Sequence, residues 1–212
     1  MSFVRIALLA TALLWSAPLA AADIADYFRL YCARYAAPSA VKPPLDFLNG
    51  SAEQALAANA ARKVTVDRSN GYLQISDGSR TDQALTMAVY RKADGSELLV
   101  AGTSDCADAC IYSVQFFVAS PAGLQPVAPD TVVPAIAPAD FIKAGQQMPK
   151  KLAPLVPKIN YVPARVGTTL TLTPWYGYET EETMDKATRA AIRNVELAWD
   201  RAQGRFGKAR SP

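Results

Sequence analysis

Histidine is absent from all 212 residues. That excludes Ser–His–Asp and Cys–His catalysis, His-ligated zinc and the usual neutral-pH general base. A catalyst built from this chain would need paired carboxylates, a Ser–Lys dyad, a lone thiol or an external cofactor. Cysteine is scarce as well, with three residues. Charge of one sign is not in excess: 22 basic against 19 acidic residues give +3, and no basic face for nucleic acid follows. No apolar run after the first residues is long enough to cross a bilayer.

What is present begins with "MSFVRIALLATALLWSAPLAAAD". Arg5 supplies a positive start, Ile6 to Trp15 a short apolar core, and Ala20 and Ala22 small residues at −3 and −1, the order of a secretory signal peptide. The core is shorter than the roughly 20 apolar residues that span a membrane. Residues 1–22 are therefore expected to be cleaved, with Asp23 the first mature residue and the product periplasmic or secreted. Residues 23–206 read as a single α+β domain, and 207–212 as a flexible basic tail.

In "DIADYFRLYCARY", Ile24, Phe28, Tyr31, Cys32 and Tyr35 recur at helical spacing, with Asp23 as N-cap and Pro38 as stop, which predicts a buried Cys32. Ser51 with Gln54 marks a capping box on a second short helix. From Lys63 the period becomes two. Asn70–Gly71 and Asp94–Gly95 read as type I′ hairpin turns. At the second, a two-residue turn pairs Val89 with Val100 and Arg91 with Leu98, and sets Lys92 opposite Glu97.

Nine of the 15 prolines fall in 121–140 and 148–167, which predicts edge pieces and loops there. The Pro126–Pro129 and Pro154–Pro157 P-x-x-P units read as edge blockers before they read as docking motifs. The last region has two readings. Met184, Ala187, Ala191, Val195, Ala198 and Ala202 form a helical stripe capped by Thr180 and stopped at Gly204, with Glu182–Lys186 and Asp185–Arg189 as supporting pairs. Val195, Leu197 and Trp199 alternate instead, as in a strand. The fold class is accordingly α+β: a cleaved signal peptide, short N-terminal helices, then a mainly antiparallel β-sheet with Pro-rich connections.

Several short motifs together resemble a group of uncharacterised exported bacterial proteins: "VDRSNGYL", a two-cysteine turn before an aromatic strand, "RVGTTL" and "LAWDRAQGRF". The resemblance spans residues 63 to 206. It implies a mostly antiparallel β domain ending in a strand hairpin, with a short helix near 181–190 and a strand near 192–199.

Cys106 and Cys110 in "GTSDCADACIYSV" would stand about 13 Å apart in an extended strand, beyond disulfide reach, so they bridge only if the chain turns back between them. Two thiolates without histidine make half a zinc site, and a redox pair usually has two intervening residues at a helix start. A structural disulfide is expected, with Cys32 a buried free thiol; a bridge from Cys32 to one of the two is the rival. No metal or other cofactor is implied.

The acidic cluster Glu179, Glu181, Glu182 and Asp185 offers carboxylates for a glycosidase-like pair, against the plainer reading of a solvated face or helix start. Trp175, Tyr176 and Tyr178 offer an aromatic contact surface, against ordinary packing. Elimination points to a non-catalytic periplasmic or secreted binding or interaction protein. Its partner would be a protein or envelope component. The alternative is a histidine-free, carboxylate-dependent hydrolase acting on an envelope polymer.

Overall fold

A computed structural model describes residues 23–36, 50–77, 83–106, 110–120 and 123–209. The expected signal peptide and the Pro38 stop lie outside the described residues. Helices α1 (Ile24–Ala36) and α2 (Ala52–Leu56) precede strands β1 (Arg62–Asp67), β2 (Tyr72–Asp77), β3 (Ala84–Arg91), β4 (Glu97–Cys106), β5 (Cys110–Ser120) and β6 (Gly123–Val127). A short α3 (Pro129–Val132) and a 3-10 helix (Pro138–Phe141) lead to β7 (Lys158–Pro163) and β8 (Thr169–Trp175). Then come α4 (Tyr178–Thr183), α5 (Lys186–Ala191), β9 (Val195–Asp200) and β10 (Arg205–Lys208).

The local signals of the N-terminal helices hold. Asp23 Oδ1 accepts from Ala25 N at 2.6 Å, and Ser51 and Gln54 form both bonds of a capping box. Ile24, Phe28 and Tyr31 bury one face of α1 against Leu73, Leu85, Met87 and Phe117. Cys32 is a free thiol on that face, but half-buried where the spacing predicts full burial. Burial pushes its pKa up to about 11, with the Glu53 charge adding to the shift.

Pairing is antiparallel throughout, but in two sheets: a six-stranded meander β1-β2-β3-β4-β5-β6 and a four-stranded sheet β10-β9-β8-β7. The first sheet is covered on both faces. Helix α1 packs on one, and the second sheet packs on the other through Tyr90, Val100, Phe116, Leu170, Leu197 and Trp199. Burial on both sides explains the unbroken apolar run "LLVAG" of β4, from Leu98 to Gly102.

That double burial also overturns the expected hairpin register. Arg91 pairs with Glu97, Tyr90 with Leu98 and Val89 with Leu99. Val100 faces Ala88, so the expected Val89–Val100 register is off by one residue, and Lys92 belongs to the turn. With apolar residues on both faces of β4, apolar matching does not select the register. The turn residues do. Lys92 N donates to Ser96 O at 2.8 Å and Gly95 N to Lys92 O at 3.2 Å. Gly95 alone takes a positive φ, 85°, and no non-glycine residue among those described does so. This is a longer turn with a glycine bulge, not type I′. The Asn70–Gly71 turn is not type I′ either: Gly71 (φ 60°) takes the positive φ, its N–H donates to Arg68 O at 3.3 Å, and Asp67 pairs with Tyr72 across it.

Prolines sit where ladder donors are dispensable. Pro126 is on edge strand β6 and Pro163 on edge strand β7. Pro174 lies on β8 beyond the end of its pairing with β9 at Leu172. In the last region the strand reading prevails. Val195, Leu197 and Trp199 are buried while Glu196 and Ala198 are exposed, the alternation of a strand covering a core on one side. Asp185, not Thr180, caps the second of the two short helices, and Arg189 pairs with Glu181. The flexible tail needs a correction too: Gly207 pairs with Ala198 and Lys208 with Leu197 in β10, and Lys208 Nζ reaches Asp140 at 2.8 Å. Among the described residues no helix is long and apolar enough to cross a membrane.

Candidate functional site

Cys106 and Cys110 are directly opposite in the β4–β5 ladder, with Cα atoms 3.9 Å apart and Sγ atoms 2.21 Å apart, at disulfide distance. The bridge staples a hairpin end. Among the described residues no group of three or more Cys, Asp or Glu side chains is placed to hold a metal ion.

The aromatic run is divided between neighbours. Trp175 ends β8 edge-on to Tyr112, with ring centroids 6.2 Å apart. Lys158 Nζ lies 5.3 Å from the Trp175 ring centre and donates to Cys110 O at 3.1 Å. Tyr176 instead enters a small cluster with Leu152 and Met184. The two therefore do not make one contact surface, and the Tyr178 side chain is outside the described residues. The Tyr176 hydroxyl is buried with no hydrogen-bond partner among the described residues. Burial raises its pKa, and the Glu181 charge adds to the rise.

The carboxylate cluster is likewise dispersed. Asp185 Oδ1 accepts from Thr188 N at 2.7 Å, and that backbone bond leads in holding its carboxyl below the ordinary range. Glu181 lies 3.7 Å from Arg189, and its other oxygen accepts from Tyr176 N at 3.4 Å. Glu179 and Glu182 are exposed. Glu181 and Arg189 line one cleft of about 360 Å³ beside Pro174 and Arg193, where Glu181 is the single carboxylate.

A second cleft, of about 390 Å³, opens where the ends of the two sheets meet; Ser69, Asn70, Arg91, Thr168, Trp199 and Arg201 contribute to its lining. Two hydrogen bonds join its walls. Trp199 Nε1 donates to Arg91 O at 2.9 Å, and Ala93 N donates to Arg201 O at 2.8 Å. Both arginines thus have their backbones pinned at the junction of the β3–β4 and β9–β10 hairpins. Tyr90 packs edge-on to Phe206 at 4.8 Å and tilted against Trp199 at 5.6 Å, which makes the floor rigid and apolar. Arg91 Nε bonds Glu97 Oε1 at 2.7 Å, and the buried Glu97 takes the Tyr27 hydroxyl on its other oxygen. Arg201 is exposed and forms no ion pair among the described residues. No carboxylate or thiol lines this cleft. Sequence reasoning missed it because its residues come from four separate turns and strand ends.

No protein-family model and no curated protein matches the chain. Among solved structures it is similar to a domain of an uncharacterized protein from Porphyromonas gingivalis W83, with a TM-score of 0.52 at 13% identity. The match covers 70% of this chain and 74% of that one. At that identity the likeness establishes a shared fold.

Proposed function

We propose that this chain is an exported, non-catalytic binding domain of the periplasm or the cell exterior, and that its ligand seats in the cleft between the sheet ends. One observation carries the reading. The cleft is lined by Arg201, Thr168 and the aromatic pair Tyr90 and Trp199, with Ser69 and Asn70 held in place by the Asp67 carboxylate, and no carboxylate or thiol lines it to exchange a proton or attack a substrate. It is furnished to hold a molecule, not to transform one.

Export is supported by the charged, apolar and small-residue order of residues 1–22 and by a cysteine pair at disulfide distance, which suits an oxidising compartment. The resemblance of residues 63 to 206 to exported bacterial proteins points the same way. Of the carboxylates that a hydrolase would use, Asp185 is engaged as a cap and Glu181 with Arg189, while Glu179 and Glu182 are exposed.

Cell fractionation combined with a hydrolysis panel tests the proposal. The expected result is recovery outside the cytoplasm, with no turnover of peptidoglycan or acidic polysaccharide above a heat-treated control. Turnover that is lost in Glu181→Gln would replace binding with the carboxylate hydrolase.

A further inference from the structure

We infer that Asn70 is a modification site, where the chain deamidates through a succinimide at a rate restrained by the Asp67 carboxylate. The sequence holds two Asn–Gly pairs, Asn49–Gly50 and Asn70–Gly71. Glycine after asparagine leaves no side chain to crowd attack on the asparagine amide. Asn70 is exposed at its turn, so water reaches it. The reaction needs no other reagent. The Gly71 nitrogen gives its proton to water and bonds to Asn70 Cγ. The Cγ–Nδ2 bond then breaks, and ammonia leaves after taking up a proton from water. Water opens the ring at either carbonyl and leaves aspartate or isoaspartate.

The fold holds both reacting groups back. Asp67 Oδ2 accepts from Asn70 Nδ2 at 3.0 Å, which fixes the side-chain amide, and Oδ1 accepts from Asn70 N at 3.2 Å. The attacking nitrogen is itself engaged, since Gly71 N donates to Arg68 O at 3.3 Å. Asp67 also accepts from Ser69 Oγ at 2.8 Å and Arg165 Nε at 2.9 Å. The hydrogen bonds from Asn70, Ser69 and Arg165 keep its carboxyl well below the ordinary range, so it stays charged. A carboxylate there opposes the negative charge that develops as Gly71 N attacks. Conversion removes a donor and sets a second carboxylate beside Asp67, where the two repel and compete for Arg165. Isoaspartate also lengthens the turn that Asp67 and Tyr72 close in register. Asn70 and Gly71 line the cleft together with Gly167 and Thr168 of the β7–β8 turn, so the change falls on the cleft wall.

Peptide mapping with isoaspartate detection, on protein incubated at mildly alkaline pH, follows both Asn–Gly pairs in one digest. Asn70 should convert about tenfold or more slowly in the folded wild type than in urea, the scale of a hydrogen bond to a charged group. Asp67→Ala should recover most of that rate in the folded protein. Asp67→Asn, which keeps an acceptor oxygen, should recover less. Asn49 should convert equally in the wild type and both variants. Asn70→Asp should melt below the wild type, by a margin that narrows as salt screens the repulsion. Equal Asn70 rates in folded and unfolded wild type, or an Asp67→Ala rate at or below that of the wild type, would overturn the inference. A parallel rise at Asn49 would trace the change to general loosening and overturn it too. An Asn70→Asp protein as stable as the wild type would overturn the effect on the turn. Thermal melts establish which variants are folded, and the comparison of wild type with and without urea decides the matter where a variant is not.

Discussion

The carbonyl oxygen of Tyr161 lies over Gly102 so closely that a Cβ added to the glycine would stand 2.5 Å from it. Here β7 crosses the inner face of β4, and backbone meets backbone where two facing side chains would hold the sheets apart. Gly102→Ala should therefore destabilise the protein by about 1–3 kcal/mol, the usual range for overpacking. Gly207, exposed on β10 with nothing near its Cβ position, is the control, and its alanine variant should stay within about 0.5 kcal/mol of wild type. Chemical denaturation of both decides the matter. Equal shifts would mean that the two sheets do not approach at Gly102.

The β3–β4 turn gives a second test, aimed at its type. Asp94 Oδ1 accepts from Ser96 N at 2.9 Å and from Ser96 Oγ at 2.7 Å, while Gly95 alone has positive φ. Gly95→Val should cost about 1–3 kcal/mol for its left-handed conformation. Asp94→Gly should also destabilise, by about 1 kcal/mol, because it loses the side-chain acceptor and loosens the unfolded chain. In a two-residue type I′ turn, glycine at that position would relieve strain. A stabilised Asp94→Gly protein would thus restore the simpler hairpin.

The contrast between these turns and the register they close shows what was legible beforehand. Signals that act over three or four residues survived: the Ser51–Gln54 box, the Asp23 cap and the in-register cysteines each depend on neighbours in the chain. The β4 register did not survive, because pattern specifies register only where one face is wet, and both faces of β4 are buried. Nor was the second sheet visible as separate. Its strands alternate as any half-buried strand does, and what divides them from β6 is a proline-rich stretch with no signature of its own. The cleft was hidden for a related reason. Arg91 and Arg201 are 110 positions apart, and only docking of one hairpin on another brings them to the same opening.

Tyr27 and Glu97 make stability depend on alkaline pH. The Tyr27 hydroxyl donates to a buried carboxylate that also holds Arg91. Burial first, then the hydrogen bond and charge of Glu97, raise the tyrosine pKa well above its ordinary 10.0. A folded-state pKa above the unfolded value means a contribution fully present below pH 10 and lost as pH climbs towards the folded value. Tyr90, raised by burial, adds a change of the same sign. At pH 7, Tyr27→Phe should be less stable than wild type by about 1–3 kcal/mol. The gap should narrow between pH 10 and pH 12 as the unfolded wild-type tyrosine ionises. Urea denaturation across that range measures it, and a gap independent of pH would show that the hydroxyl is not in this bond.

The mature N-terminus is the last expectation. Cleavage after Ala22 would place a new ammonium group on Asp23, whose backbone nitrogen lies 3.3 Å from Asp26 Oδ2. The Asp23 carboxylate is already held by Ala25 N and by Arg68 Nε at 2.5 Å, and the first of these leads in lowering its pKa. A positive charge at that point would face Asp26, while the capping carboxylate stays paired with Arg68. Cleavage one or two residues further on would remove the cap and the Arg68 partner together, at about 1 kcal/mol for the cap. N-terminal sequencing of the exported protein should therefore begin at Asp23. Ala22→Leu, which puts a large residue at the −1 position, should leave the longer form accumulating at the membrane. Full-length wild-type chain recovered from the cytoplasm would refute both the export and the site.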